Sequence, residues 1–376
     1  MTSLVFRNAR IVLADEVITG SLLVEAGLIV DFAEGNSQTG DDLEGDFLIP
    51  GLVELHTDHL ETHYRPRPGV YWDAMAALHA HDAQIAGSGI TTVFDAVRIG
   101  SDPETPRMGD HVEKLSGAIA LASADGWLRS EHFLHLRCEV PSHDVLSQFD
   151  RFASLPHTRL ASVMDHTPGQ RQFRSLEAYK RFYSIGRTPD ELDSYIADRL
   201  ADHARFSGPN RAYIAEKARE LGLALASHDD ASIAQVEESV RDGVVIAEFP
   251  TTLEAAKAAH AAGLSILMGA PNIVRGKSHS GNISATDLLI SGLLDILSSD
   301  YIPYAPLQAV FNLPSRIDAI TLPRALATVT VNPAKAAGLA DRGEIAIGKR
   351  ADLVRVRMVG DLPVVRGVWR QGLRVS

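Results

Sequence analysis

The segment Leu48-Ile-Pro-Gly-Leu-Val-Glu-Leu-His-Thr-Asp58 is an apolar run that ends in two groups able to bind a metal. His56 and Asp58 are two residues apart, so on a strand both side chains leave the same face. An imidazole nitrogen beside a carboxylate oxygen suits a divalent ion such as Zn²⁺ or Mn²⁺. A lone His-x-Asp pair often does no more than hydrogen-bond at a strand end. Here the pattern recurs. Leu134-His-Leu-Arg-Cys-Glu139 ends in Glu139, and Met164-Asp-His166 ends in Asp165 and His166. Ala226-Ser-His228 ends in His228, a later run carries Glu248, and Ser298-Ser-Asp300 ends in Asp300. Any one of these is more simply read as a structural hydrogen-bonding group. So many acids and imidazoles at the ends of successive apolar runs point instead to a shared ion, because burying them unpaired costs several kcal/mol each.

The elements that must position these groups follow from the texture of the chain. Apolar runs lie at Gly51–Asp58, Thr91–Val97, Phe133–Val140, Leu160–His166, Ala224–Asp229, Val244–Pro250, Ser265–Pro271 and Asp295–Asp300. Between them are amphipathic stretches such as Ala74–Ser88, Val112–Ala124, Asn210–Leu221, Ser232–Asp242 and Thr252–Ala262. This alternation predicts an α/β protein built on a (β/α)8 TIM-type barrel, whose strand C-termini carry the site. A doubly wound sheet has the same rhythm, but no glycine-rich phosphate fingerprint follows the first run. The ends of the chain differ. Short strands are predicted at Ser3–Asn8, Ala9–Ala14, Gly20–Glu25 and Leu28–Glu34, and again at Gly343–Ile347, Ala351–Arg357 and Val364–Arg370. Residues 1–48 and 343–376 are therefore expected to form one small β-sandwich domain beside a barrel of residues 49–342. The connection 167–209 is long and rich in cations and aromatics, among them Arg171, Arg174, Lys180 and Arg181. It reads either as a solvated helical hairpin or as a lid, and its place after a barrel strand favours the lid.

The chain has 376 residues, 45% of them hydrophobic, enough for a large core. Its formal net charge of −12 argues against a nucleic-acid or membrane-surface binder, while leaving room for a local basic pocket. The single cysteine, Cys138, excludes an intrachain disulfide and fits a reducing, cytoplasmic setting. No secretory leader or membrane-spanning run is evident. A homo-oligomer is compatible with all of this.

Taken together, the pattern resembles the amidohydrolase superfamily of metal-dependent hydrolases over nearly the whole chain. Pro50-Gly-Leu-Val-Glu-Leu-His56 looks like its entry to the first barrel strand. Asn332-Pro-Ala-Lys-Ala-Ala-Gly-Leu339 and Gly343-Glu-Ile-Ala-Ile-Gly-Lys-Arg-Ala-Asp-Leu353 look like its return to the small β-domain. The resemblance implies one or two divalent ions, most simply zinc, held by His56, Asp58, Glu139, His166, His228 and Asp300. Asp300 would also take the proton of the attacking water. Asp165 and Glu248, by their own place at strand ends, are expected to stand in reserve and orient histidines from behind. Two departures stand out. Asp58 replaces the second histidine of the usual His-x-His, and no lysine ends the fourth strand, so Glu139 is expected to bridge. One branch of the superfamily is closer still, the phosphoanhydride hydrolases of phosphonate degradation, which act on a ribose triphosphate phosphonate. Glu54-Leu-His-Thr-Asp-His-Leu-Glu-Thr-His63, Met164-Asp-His-Thr-Pro-Gly-Gln170 and Ala270-Pro-Asn-Ile-Val-Arg-Gly-Lys-Ser-His-Ser-Gly-Asn282 resemble that branch. A triphosphate needs cations and N–H donors. Arg275, Lys277, Ser278, His279 and Asn282 supply them in one loop, and Arg65 and Arg67 follow the first strand. The alternatives are a cyclic-amide hydrolase or nucleobase deaminase, which would not need that basic loop, and an inert scaffold, which would not need the ligand set.

Overall fold

The computed structural model describes residues 3–35, 37–102, 107–171, 176–184, 187–276 and 282–376. The N-terminal strands β1 (Ser3–Val12), β2 (Val17–Glu25), β3 (Leu28–Glu34), β4 (Asp41–Asp42) and β5 (Phe47–Pro50) lead into eight barrel strands. These are β6 (Leu52–Thr57), β7 (Ile90–Ile99), β8 (Glu131–Glu139), β9 (Thr158–Met164), β10 (Ala224–His228), β11 (Ile246–Glu248), β12 (Ser265–Gly269) and β13 (Ile296–Ser298). The chain ends with β14 (Leu353–Val359), β15 (Leu362–Arg370) and β16 (Leu373–Arg374).

Strands β6 to β13 pair in chain order, all parallel. The seam between first and last closes through two backbone hydrogen bonds of 3.0 Å, from the Asp58 N–H to the Asp300 carbonyl and from the Asp300 N–H to the His56 carbonyl. The fold thus closes on the residues that face its site. Val53, Leu55, Phe94, Leu160, Ala226, Ile246, Leu267 and Ile296 fill the barrel interior. The outward faces of the strands pack on α2 (Ala74–Gly87), which follows the short α1 (His59–Tyr64), and on α3 (Met108–Ala124) and α4 (Val145–Ala153). After α5 (Leu176–Tyr183) and α6 (Pro189–Asp202), the outer layer continues with α7 (Gly208–Leu221), α8 (Ile233–Asp242), α9 (Leu253–Ala261), α10 (Ala270–Arg275), α11 (Ala285–Ile290) and α12 (Ala305–Arg316). Ser232 and Thr252 start α8 and α9 by accepting backbone N–H groups on their hydroxyls, and left-handed Gly222 and Gly243 end α7 and α8.

The terminal strands form one mixed sheet in the order β16-β15-β14-β5-β1-β2-β3, with β4 against β1. Its own core gathers Phe6, Ile11, Leu22, Ile29, Leu48, Leu353 and Trp369. Two expectations change here. The two strands expected over Ser3–Ala14 are one strand, whose register slips between Phe6 and Ala9, with Asn8 left-handed at φ 52°. Gly343–Ile347 is not a strand: it runs as an irregular segment before the single bridge from Arg350 to Leu28. Gly51 joins the two sheets. A β-carbon there would collide with the Thr91 side chain, so only glycine lets the chain pass directly from β5 to β6.

Candidate metal centre

A cavity of about 300 Å³ opens at the C-terminal ends of the barrel strands, lined by His56, Asp58, Arg137, His166, His228, Asp229, Asn282 and Asp300 among others. Each side chain reaches it for a local reason. On β6 the pairing with β7 slips between Glu54 and Thr57, a bulge that redirects His56 inward. Behind it, Glu54 accepts the His56 N–H (2.7 Å) and the Ser299 N–H (2.6 Å), tying both strands of the seam together. Asp229, Phe249 and Asp300 follow three of the strands with left-handed backbones, at φ 57°, 52° and 55°. Such conformations are uncommon for residues other than glycine and collect at functional sites.

Glu248 is fully buried under the cavity floor. One of its carboxylate oxygens lies 3.1 Å from His56 Nδ1 and the other 3.2 Å from His228 Nδ1. A carboxylate only accepts, so both imidazoles carry their proton on Nδ1 and present the Nε2 lone pair to the cavity. His56 Nε2 is 3.8 Å from Asp58, and His228 Nε2 is 3.5 Å from Asp229. The ligand atoms of His56, Asp58 and Asp300 lie within 4.8 Å of one another, as do those of His166, His228 and Asp229. Asp229 Oδ2 is buried with no hydrogen-bond partner. Neutral imidazoles, close carboxylates and an orphaned carboxylate oxygen make a donor set that fits one or two divalent ions.

Electrostatics agree for His56 and His228, whereas at His166 burial is outweighed by the Glu139 carboxylate, which holds that imidazole above its ordinary value. Burial pushes the His56 and His228 imidazoles down, to about 3 and about 4, keeping them unprotonated. Burial, with Asp58 nearby, pushes Asp300 up to about 7, and burial raises Asp229 to about 6. Burial also opposes ionisation of Asp58, but the Arg137 guanidinium, 2.6 Å away, and the imidazoles outweigh it and hold the carboxyl below its ordinary value. Among the described residues lining the cavity, Arg137 is the one guanidinium facing three carboxylates. A polyanion entering such a pocket needs added positive charge, which divalent ions supply.

The other expected residues are placed as follows. Glu139 sits behind His166, one oxygen accepting the His166 N–H (3.0 Å) and the other within 2.6 Å of its Nδ1. Asp165 accepts from His203 Nδ1 (2.7 Å) and Ser207 Oγ (3.0 Å), anchoring the π-helical turn His203–Ser207 and not a histidine of the cavity. Asn282 lines the cavity, and Arg275 is exposed at the end of α10. Lys277, Ser278 and His279 lie outside the described residues. Arg65 lines a neighbouring cavity that shares Asp58, and Arg67 is exposed in a turn closed on Val70. In the long connection, Arg171 is buried in ion pairs with Asp230 and Glu238, and Lys180 pairs with Asp193 at 2.6 Å. Sequence reasoning missed Arg137 and Asp229. Arg137 precedes Glu139 by two residues, hence shares its inward face; Asp229 directly follows His228.

Comparison with known proteins defines the class first. An amidohydrolase family model matches residues 224–375. A relative from Escherichia coli (strain K12) is 48% identical over 377 residues, covering 99% of this chain and all of its own. The chain belongs to the amidohydrolase family. That relative is the alpha-D-ribose 1-methylphosphonate 5-triphosphate diphosphatase. An imidazolonepropionase of Deinococcus deserti is 26% identical over 368 residues, covering 89% of this chain and 85% of its own. A solved structure of 5-methylcytosine deaminase from Klebsiella pneumoniae has the same fold, with a TM-score of 0.65 at 16% identity over 99% of this chain and 98% of that one.

Proposed function

We propose that this chain hydrolyses alpha-D-ribose 1-methylphosphonate 5-triphosphate to the 5-phosphate and pyrophosphate, in phosphonate catabolism. The observation that carries this reading is the 48% identity to the diphosphatase along the full length of both chains. The cavity suits the chemistry. His56, Asp58, His166, His228, Asp229 and Asp300 would hold one or two divalent ions, zinc by their nitrogen and oxygen donors or manganese by their carboxylates, with Glu139 and Glu248 fixing the imidazoles from behind. When bound, such ions acidify water and neutralise phosphoryl charge. The protein's own groups do the rest. Asp300, raised to about 7, accepts the proton of the attacking water and passes it to the leaving group. Arg137 is placed to donate to a phosphoryl oxygen and to stabilise charge as it develops. Asn282 donates from the rim, and the segment 275–282 with Arg275, Lys277, Ser278 and His279 supplies the cations and N–H groups for the outer phosphates. Arg65 and Arg67 take the far end of the substrate.

No helix of the described residues is long and apolar enough to cross a membrane. A single cysteine, Cys138, which allows no intrachain disulfide, fits a cytoplasmic enzyme. Phosphorus NMR of metal-loaded enzyme with the ribose triphosphate phosphonate, and with ATP as control, tests the function. Pyrophosphate and the 5-phosphate should appear from the first substrate and much less from the second. Equal cleavage of both, or no cleavage of the first, would refute the assignment.

A further inference from the structure

Apart from the cavity, the structure gathers three histidines on the outer layer of the barrel. His59 and His63 are one turn apart on α1, and His81 faces them from α2. Their ring centroids are 4.9 Å, 5.8 Å and 6.0 Å apart. One ring nitrogen from each lies within 4.8 Å of those of the other two. Around a tetrahedral ion with bonds of about 2.0–2.1 Å, such nitrogens are about 3.4 Å apart, so small side-chain rotations suffice to close the set.

The hydrogen bonds around the triad leave lone pairs free on its inner side. His81 is fully buried. Its Nε2 is 2.7 Å from Asp95 Oδ1, and the second oxygen of Asp95 is 2.7 Å from His132 Nδ1. His132 in turn reaches Asp82 at 3.3 Å. The Asp95 carboxylate accepts, so Nε2 of His81 carries the proton and Nδ1 carries the lone pair. That Nδ1 is buried without a partner, and so is Nδ1 of His59. His63 Nε2 is 3.2 Å from the Gln84 side-chain oxygen, an acceptor, which likewise leaves its Nδ1 as a lone-pair donor. Buried polar atoms are rarely left unpartnered in a native protein, and two in one cluster of three imidazoles need a common explanation. A carboxylate behind the innermost imidazole is the arrangement that orients metal-binding histidines elsewhere.

We propose that His59, His63 and His81 form a second divalent-metal site, separate from the barrel cavity, that takes zinc with a water as fourth ligand. The ion would clamp α1 to α2. Since α1 begins immediately after Asp58, and its Glu61 lines the neighbouring cavity together with Asp58, the clamp would hold the approach to the barrel site in place. The role is structural: none of the three rings lines the barrel cavity or the cavity beside it.

Metal counting on the full-length protein tests this. Wild type, the double variant His59→Gln with His63→Gln, and His228→Asn would be stripped with a chelator, reloaded with zinc, freed of excess and measured by inductively coupled plasma mass spectrometry. The double variant should hold one equivalent fewer than wild type, while His228→Asn keeps the ion on the outer layer. Loaded with cobalt instead, wild type should lose the visible absorption of one tetrahedral, nitrogen-ligated ion when both histidines are replaced. The single variant His63→Gln, at a half-buried position, serves if the double variant loses its native circular dichroism, and it should bind that ion at least tenfold more weakly. Equal metal content and equal cobalt spectra in wild type and a folded histidine variant would overturn the proposal.

Discussion

Replacing Glu248 with glutamine should weaken metal binding without emptying any space. The wild-type carboxylate accepts from two imidazoles at once, His56 Nδ1 at 3.1 Å and His228 Nδ1 at 3.2 Å, and no water reaches it. A glutamine side chain has nearly the same volume but offers one acceptor and one NH2 group. The imidazole facing the new NH2 can no longer donate to it. Either that ring keeps its Nδ1 proton against another donor, leaving a buried hydrogen bond unmade, or it shifts the proton to Nε2 and loses the lone pair that faces the cavity. A hydrogen bond to a charged group contributes about 1.5–3 kcal/mol. Losing one of the two therefore predicts a fall in metal affinity of roughly ten- to a hundredfold, the range seen when groups behind metal-binding histidines are removed. His135 does not compensate, because its Nδ1 already donates to the Leu55 carbonyl at 2.9 Å and its Nε2 is 3.0 Å from Ser162 Oγ. Competition against a chromogenic chelator gives the affinity, and turnover at saturating metal separates affinity from chemistry. Turnover should recover most of its wild-type value once metal is in excess. Unchanged affinity in Glu248→Gln would refute the claim that this carboxylate sets the tautomers of the two histidines.

Three other outcomes are expected. Asp300→Asn should keep substrate binding but lower kcat by about 10²-fold or more, since an amide cannot take the proton; near-wild-type turnover would remove Asp300 from that role. Arg275→Ala should cost roughly ten- to a hundredfold in kcat/KM on the triphosphate and little on any uncharged substrate, from the loss of one charge-assisted contact. Asp46→Asn tests how the two ends of the chain are joined. Asp46 precedes β5 and is held by Arg355 (2.5 Å) and Arg357 (2.7 Å) of β14. Burial opposes its ionisation, but the two guanidiniums prevail and lower its pKa below the ordinary 3.8. A carboxylate lowered in the folded state stabilises above its unfolded pKa and loses that contribution as pH falls through the folded value. Wild type should therefore exceed Asp46→Asn in urea by about 2 kcal/mol at neutral pH, with the gap closing below about pH 4; a gap independent of pH would exclude the ion pairs as its cause.

The strand ends were legible because a barrel converts a one-dimensional rule into a place. His56, Asp58, His166, His228 and Asp300 each close an apolar run, and parallel strands closed in a ring bring such ends to one rim. Asp229 was not legible for the converse reason. Alternation along a strand sends consecutive residues to opposite faces, so His228 inward implies Asp229 outward. The left-handed backbone at Asp229 breaks the alternation and turns both inward, and nothing in the local composition announces that turn. Glu139 shows a different limit. Its inward face follows from period two, as does that of Arg137, but its contact with His166 depends on where the chain goes after β9, which is tertiary information. His59 and His63 were visible as residues of a motif, with helical spacing, yet their partner His81 comes from the next helix and its backing from Asp95 and His132 on two strands. For the cavity histidines and for His81, therefore, the sequence displays the imidazole, while the carboxylate that decides which nitrogen is free comes from a different element of the fold. Tautomer, and with it metal affinity, is a property of the fold more than of any motif.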